Sequence, residues 1–143
     1  MKKVLCVCFG NTCRSPMMQA LLQKRLGDEF QVESAGIRQG CAGQTANEHS
    51  ILCMQERGID LTKHQSRWVG DLNLTQYSHI ICVGDNEARQ VSEHLPQNSR
   101  TIVLIANGDH GGVPNPFEKG LPAYRGCLAL LDEVMPEIAQ LVR

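Results

Sequence analysis

The chain has 143 residues, a formal net charge of −1 at pH 7 and 42% hydrophobic residues, which predicts one globular domain over residues 1–143. A nearly neutral charge gives no indication of a nucleic-acid or anionic-membrane partner, and no apolar run approaches the ~20 residues of a membrane span. The seven cysteines are an odd number. The sequence therefore favours reduced thiols in the cytoplasm over a secreted disulfide framework.

Strand-like and helix-like segments alternate along the chain. The continuous apolar run 4–9 predicts a strand buried on both faces, and Pro16 followed by helically spaced apolar residues predicts a helix up to Gly27. The patterns then predict a strand at 30–34, a helix at 45–57, a strand at 78–83, a helix at 87–95 and a strand at 101–106. Residues 107–116 read as a loop, and 120–142 as an amphipathic helix with a candidate kink at Pro136.

This alternation predicts an α/β fold, in which a four-stranded parallel sheet carries helices on both faces and is joined by right-handed crossovers. Ligands of such sheets bind outside the carboxyl ends of the strands. The loops after the first and fourth strands both open at that edge. We therefore expect the functional site where these two loops meet.

The string CFGNTCRSP, which begins at Cys8, connects the first strand to the first helix. Gly10 and Asn11 tolerate the left-handed conformations that such a loop requires. Its backbone N–H groups and the helix N-terminus can surround an anion, and the fork of Arg14 can bind two phosphate oxygens. This positive field favours the thiolate form of Cys8, a nucleophile directed at phosphorus. Ser15 can donate its hydroxyl to that sulfur.

Four motifs in order, VCFGNTCRSP near the start and then SAG, HQSR and PNPF, resemble those of the low-molecular-weight protein tyrosine phosphatases of bacterial type. The resemblance covers essentially the whole chain. It implies a flavodoxin-like fold (phosphotyrosine phosphatase I-like), a phosphocysteine intermediate and no metal or other cofactor. It also implies a phosphorylated protein substrate, inorganic phosphate or sulfate as ligands of the loop, and a monomer or weak dimer without nucleic-acid or membrane partners.

The resemblance also assigns roles to residues of the loop. Cys8 resembles the nucleophile, Arg14 the phosphate clamp and Ser15 the hydroxyl that assists the thiolate. The residues that would bind the phosphate are Phe9, Gly10, Asn11, Thr12, Cys13 and Arg14. Cys13 resembles a second loop cysteine that forms a reversible disulfide with Cys8, which would protect Cys8 from irreversible oxidation.

The resemblance also implies residues that support the loop and residues that line the substrate cleft. Asn11 and Ser34 resemble polar residues that hold the loop in shape, and His64 resembles a further support. Phe117 resembles one wall of the family's substrate cleft. A second aromatic wall residue is absent around Gly40, so the cleft is expected to have a sparse aromatic lining.

One departure from the family concerns the general acid, which is an aspartate in an Asp-Pro-aromatic motif. Here the motif reads Asn115-Pro116-Phe117. An amide neither protonates a departing phenolate nor acts as a base toward water, and loss of such a group typically costs about 10²–10⁴ in rate. The neighbouring residues that could substitute for the acid are Asp109, His110 and Glu118.

The second departure is Thr12, where tyrosine-specific members commonly carry an aliphatic residue such as isoleucine. Bacterial members that act on phosphoarginine resemble this chain at that position. A hydroxyl there can hydrogen-bond a polar leaving group or position the attacking water. Thr12 therefore makes phosphoarginine an alternative to phosphotyrosine as the substrate residue.

The leading function is hydrolysis of protein phosphotyrosine through a phosphocysteine at Cys8. Protein-arginine phosphatase activity is the enzymatic alternative, because of Thr12. A phosphate- or phosphopeptide-binding module with weak turnover is the alternative from another class, because of Asn115. Thiol-linked arsenate reduction ranks last. It would normally need a pair of shuttle cysteines after the third strand, where only Cys82 is near.

Overall fold

A four-stranded parallel sheet forms the centre of the computed structural model, which describes all residues 1–143. The strands are β1 (Lys2–Cys8), β2 (Phe30–Gly36), β3 (His79–Cys82) and β4 (Ile102–Ile105), in the spatial order β2-β1-β3-β4. The helices are α1 (Arg14–Leu26), α2 (Glu48–Gln55), α3 (Asp85–His94) and α4 (Leu121–Val142). The predicted parallel α/β fold is thereby confirmed.

Strand β1 lies inside the sheet and is buried on both faces. Successive strand side chains point to opposite faces, so Val4 and Cys6 pack with α1, α2 and α4, while Leu5 and Val7 pack with α3 and the segment before β3. Because Cys8 continues the Val4–Cys6 series, its side chain lies on the α1 and α4 side of the sheet. Helices cover both faces, as the apolar run predicted.

The observed first residues of several strands and helices differ from the predicted ones. Hydrogen bonds, rather than hydrophobic residues, determine where these elements begin. β1 begins at Lys2 because its polar first residues pair in register with β2. α2 begins three residues later than predicted, because the side chain of Asn47 caps it by accepting the backbone N–H of His49 at 2.9 Å. α1 begins at Arg14, two residues before Pro16.

The C-terminal third contains two further differences from the predicted pattern. The loop after β4 includes a short 3-10 turn at Gly108–His110. α4 runs continuously through Pro136. None of the helices combines the length and apolarity needed to cross a membrane.

Candidate active site

Residues 8–14 form a tight loop at the carboxyl end of β1, and Asn11 organises it. Asn11 is fully buried with φ of 58°, a conformation that asparagine tolerates better than most residues. Its Nδ2 donates to Ser15 Oγ at 2.7 Å, and its Oδ1 accepts the backbone N–H of Arg67 at 2.9 Å. Asn11 thus connects the loop to α1 and to the segment before β3.

His64 contacts the same loop directly. Its Nε2 lies 2.8 Å from the carbonyl oxygen of Asn11, and because a carbonyl only accepts, Nε2 carries the proton. Burial lowers the pKa of His64, with an opposing contribution from this hydrogen bond and a further lowering by the charge of Arg67. The neutral imidazole therefore acts as a hydrogen-bond donor to the loop.

Two hydrogen-bond donors converge on Cys8 Sγ. The backbone N–H of Asn11 donates to it at 3.2 Å, and Ser15 Oγ lies 2.9 Å away. Ser15 Oγ already accepts from Asn11 Nδ2, so its own proton is free to point at the sulfur. Both side chains are almost fully buried. Two hydrogen-bond donors thus face the sulfur of Cys8.

Arg14 joins the loop after β1 to the segment after β4. Only 7% of it is exposed, and its Nη1 donates to the carbonyl oxygen of Val113 at 2.9 Å. A guanidinium has five N–H donors in a planar fork, so most of them stay available for an anion. The two loops expected to meet at the carboxyl edge of the sheet do meet.

The loop lies at the floor of a cleft of about 240 Å³. The exposed rings of Phe9 and Phe117 provide its apolar walls. The other lining residues are Cys8, Gly10, Thr12, Cys13, Arg14, Arg38, Gln44 and Asn115. These side chains include two guanidinium groups and neither a carboxylate nor an imidazole.

Asn115 lies at the cleft, where the motif alignment placed it. Its Oδ1 accepts the backbone N–H of Phe117 at 3.1 Å, so the amide stabilises the turn that carries the aromatic wall. None of the substitutes considered for the acid lines the cleft, namely Asp109, His110 and Glu118. The cleft therefore lacks a carboxyl group that could serve as the general acid.

The hydroxyl of Ser34 contacts α1. It donates to the side-chain oxygen of Gln19 in α1 at 2.5 Å, and the Ser34 carbonyl accepts from Arg67 at 3.3 Å. The support of the loop by Ser34, which the resemblance implied, remains a prediction. Ser34 is linked to Asn11 only through Arg67.

Cys13 contacts α4. Its Sγ lies 3.3 Å from the phenol oxygen of Tyr124. Burial raises the pKa of Cys13, and the hydrogen bond to Tyr124 opposes that rise. All seven cysteines are free, and Cys82 is fully buried in β3, away from the cleft.

Three residues at the site that the sequence did not indicate are Arg38, Gln44 and Tyr124. Arg38 follows the end of β2, and the rule that ligands bind at the carboxyl ends of parallel strands could have indicated it. Gln44 and Tyr124 carried no such signal, because their contacts depend on how a long loop and the last helix return to the site.

Known proteins resemble this chain over nearly its whole length. Residues 3–143 match the profile of the family described as "Low molecular weight phosphotyrosine protein phosphatase". The chain is 28% identical over 130 residues to the "Probable low molecular weight protein-tyrosine-phosphatase EpsP" of Ralstonia solanacearum, covering 91% of this chain and 88% of that protein. It is 27% identical over 141 residues to the "Protein-arginine-phosphatase" of Geobacillus stearothermophilus, covering 96% and 94%.

Among solved structures, the Vibrio vulnificus Wzb protein in complex with benzylphosphonate is similar with a TM-score of 0.84 and 27% identity, covering 98% of both chains. The match to the family profile extends from Lys3, the second residue of β1, through the end of α4. The chain belongs to the low molecular weight phosphotyrosine protein phosphatase family.

Proposed function

We propose that this protein hydrolyses phosphotyrosine in protein substrates through a phosphocysteine at Cys8. The observation that carries the proposal is the convergence of two donors, the Ser15 hydroxyl and the Asn11 N–H, on Cys8 Sγ at the floor of the cleft. Arg14 beside it supplies the charge that binds a phosphoryl group.

In the first step the thiolate of Cys8 attacks phosphorus. A P–S bond forms, the P–O bond to the tyrosine breaks, and the electron pair of that bond leaves on the phenolate oxygen. Arg14 and the N–H groups of the loop stabilise the equatorial phosphoryl oxygens. Because Asn115 has no acidic proton, the phenolate leaves as an anion and takes its proton from water.

In the second step water attacks the phosphocysteine. A new P–O bond forms, the P–S bond breaks, and its electron pair returns to Cys8 Sγ as the thiolate. The hydrogen bond from Ser15 makes that sulfur a better leaving group. The proton of the attacking water passes to solvent or to the departing phosphate, because the cleft holds no carboxylate to accept it.

A second candidate is protein-arginine phosphatase activity, which Thr12 favours because its side chain lines the cleft. The similarity to the Geobacillus stearothermophilus protein supports the same candidate. The absence of a carboxylate from the cleft argues for phosphotyrosine, since a phosphorylated guanidinium keeps positive character and would find two guanidinium groups there.

The test compares kcat/KM for a phosphotyrosine peptide and a phosphoarginine peptide, on this chain and on its Thr12→Ile and Cys8→Ser variants. We expect turnover of the phosphotyrosine peptide and none by Cys8→Ser. Faster turnover of phosphoarginine that Thr12→Ile abolishes would favour the second candidate. Binding of either peptide without turnover would instead identify a phosphopeptide-binding module, and turnover by Cys8→Ser would overturn the proposed mechanism.

The compartment and the assembly belong to the same proposal. Seven free thiols in one small domain suit a reducing cytoplasm. We expect the chain to act there as a monomer or weak dimer, with inorganic phosphate or sulfate competing with the substrate for the loop.

A further inference from the structure

The cleft continues into a second depression beside it. This depression measures about 510 Å³ and shares Thr12, Gln44 and Phe117 with the cleft. From there it extends along the start of α2 to Glu48 and Ile51. The two together form one surface channel that leads away from Cys8, which we call the substrate groove.

Besides Arg14, which is assigned to the phosphate, the substrate groove carries one unpaired charge of each sign. Arg38 lines only the cleft part, and Glu48 lines only the adjoining part. Both side chains are exposed, and neither takes part in any of the ion pairs of the structure. The positive charges of the groove thus line its cleft part, and its negative charge lines the adjoining part.

We propose that the substrate groove selects phosphorylated segments by the order of their charges, with an acidic side chain placed beside Arg38 and a basic side chain beside Glu48. The proposal rests on the proposed function, because it places the phosphorylated residue over Cys8. Adjacent residues of an extended segment advance about 3.3 Å each. A segment that lies along the groove with its phosphorylated residue over Cys8 would therefore bring flanking side chains past Arg38 and Glu48.

The test uses two phosphotyrosine peptides of identical composition and a third peptide with neutral flanks. One peptide has Glu before and Lys after the phosphotyrosine, and the other has the reverse order. We expect kcat/KM of the full chain to differ roughly two- to tenfold between the two orders at low ionic strength, as for exposed ion pairs. The difference should shrink at about 0.5 M salt, where charges are screened within a few ångströms.

A charge exchange tests whether these two residues cause the preference. The double variant Arg38→Glu with Glu48→Arg should prefer the opposite peptide order. The matched control is Arg89→Glu with Glu93→Arg, which exchanges the same charges on the exposed face of α3 and should keep the original preference. Thermal unfolding of each variant establishes that it is folded.

Binding of the three peptides to the Cys8→Ser variant separates this inference from the proposed function. If binding to Cys8→Ser depends on the charge order of the peptide but the unsubstituted chain shows no turnover, the proposed function is overturned and the inference is supported. Turnover of all three peptides at equal kcat/KM would overturn the inference and support the proposed function. The inference also fails if the Arg38 and Glu48 exchange leaves the preferred order unchanged.

Discussion

The side-chain oxygen of Asn115 accepts the backbone N–H of Phe117 at 3.1 Å, so an amide at the mouth of the cleft holds the turn that carries its aromatic wall. An aspartate would offer the same acceptor oxygen. The substitution Asn115→Asp can therefore introduce an acid and keep the hydrogen bond that holds the turn.

The variant Asn115→Asp should raise activity. A carboxyl group at this position can protonate the leaving phenolate and later accept a proton from water, so we expect kcat/KM for a phosphotyrosine peptide to rise by about 10²–10⁴. Its pH profile should acquire a basic limb that the natural chain lacks, because the new acid must be protonated in the first step. Asn115→Ala is the control and should give no gain. Equal kcat/KM for the aspartate and alanine variants would show that proton transfer at this position does not limit the reaction.

Loss of the Ser15 hydroxyl should slow the breakdown of the phosphoenzyme. A hydrogen bond to a charged group contributes about 1.5–3 kcal/mol, which corresponds to a slowing of roughly 10–150-fold in Ser15→Ala. The measurement is the burst of phenol released from an aryl phosphate, which should be followed by a slower steady state. Ser50→Ala removes an equally buried hydroxyl that donates to the Cys13 carbonyl instead. If both variants show the same burst and steady state, Ser15 has only a structural role.

Gly36 should resist substitution because the loop packs directly on it. A Cβ there would lie 2.8 Å from the carbonyl oxygen of Phe9 and 3.0 Å from the backbone nitrogen of Asn11. Gly36→Ala should therefore displace the loop, lowering both the melting temperature and kcat/KM. Gly126→Ala is the matched control, since its Cβ meets no atom within 4 Å in α4. That variant should gain about 0.5–1 kcal/mol of stability at unchanged activity. An active, fully stable Gly36→Ala protein would contradict the close packing.

His64 should make stability depend on pH. Burial lowers its pKa in the folded protein, whereas the imidazole of the unfolded chain titrates near about 6.5. The contribution of His64 to the free energy of unfolding is complete above that pH. It is lost as the pH falls through the lowered pKa of the folded state, because the unfolded state takes up the proton first. Urea unfolding at several pH values measures the slope.

His64→Gln should flatten this slope, because glutamine can donate a hydrogen bond but does not titrate in this range. A residual slope is expected from His79, whose pKa burial also lowers, with a smaller contribution from Lys2. An unchanged slope in His64→Gln would assign the whole dependence to other groups.

Tyr124 should control how the loop responds to hydrogen peroxide. The thiolate of Cys8 would be oxidised to a sulfenic acid, which the thiolate of Cys13 converts to a disulfide with release of hydroxide. Tyr124→Phe removes the hydrogen bond that favours the Cys13 thiolate, so disulfide formation should slow and irreversible inactivation should increase. Mass spectrometry of peroxide-treated protein distinguishes the two products. Equal recovery of activity by thiol reductant in both proteins would exclude this role.

Much of this architecture was predictable because local patterns reflect it. The apolar run of β1 predicted a strand that is buried on both faces. The order of strands and helices predicted the sheet edge at which the loops meet. The side chains of Cys8, Arg14 and Ser15 are positioned by a loop only seven residues long, so their proximity follows from short-range geometry.

Contacts between distant parts of the chain were not predictable in this way. Asn11 accepts a hydrogen bond from Arg67, and Cys13 contacts the hydroxyl of Tyr124. No pattern in the sequence indicates which polar atoms a distant segment will bring to the loop. The hydroxyl of Ser34 illustrates the same limit, since its hydrogen-bond partner is Gln19 on α1.

The distribution of loop partners along the chain has a consequence for biosynthesis. Loop 8–14 is translated before the residues that contact it, which are His64, Arg67, Val113 and Tyr124. A nascent chain that ends before α4 would contain His64, Arg67 and Val113 but would lack the contact between Cys13 and Tyr124. The loop therefore obtains its full set of contacts only after α4 has been synthesised and has packed against α1.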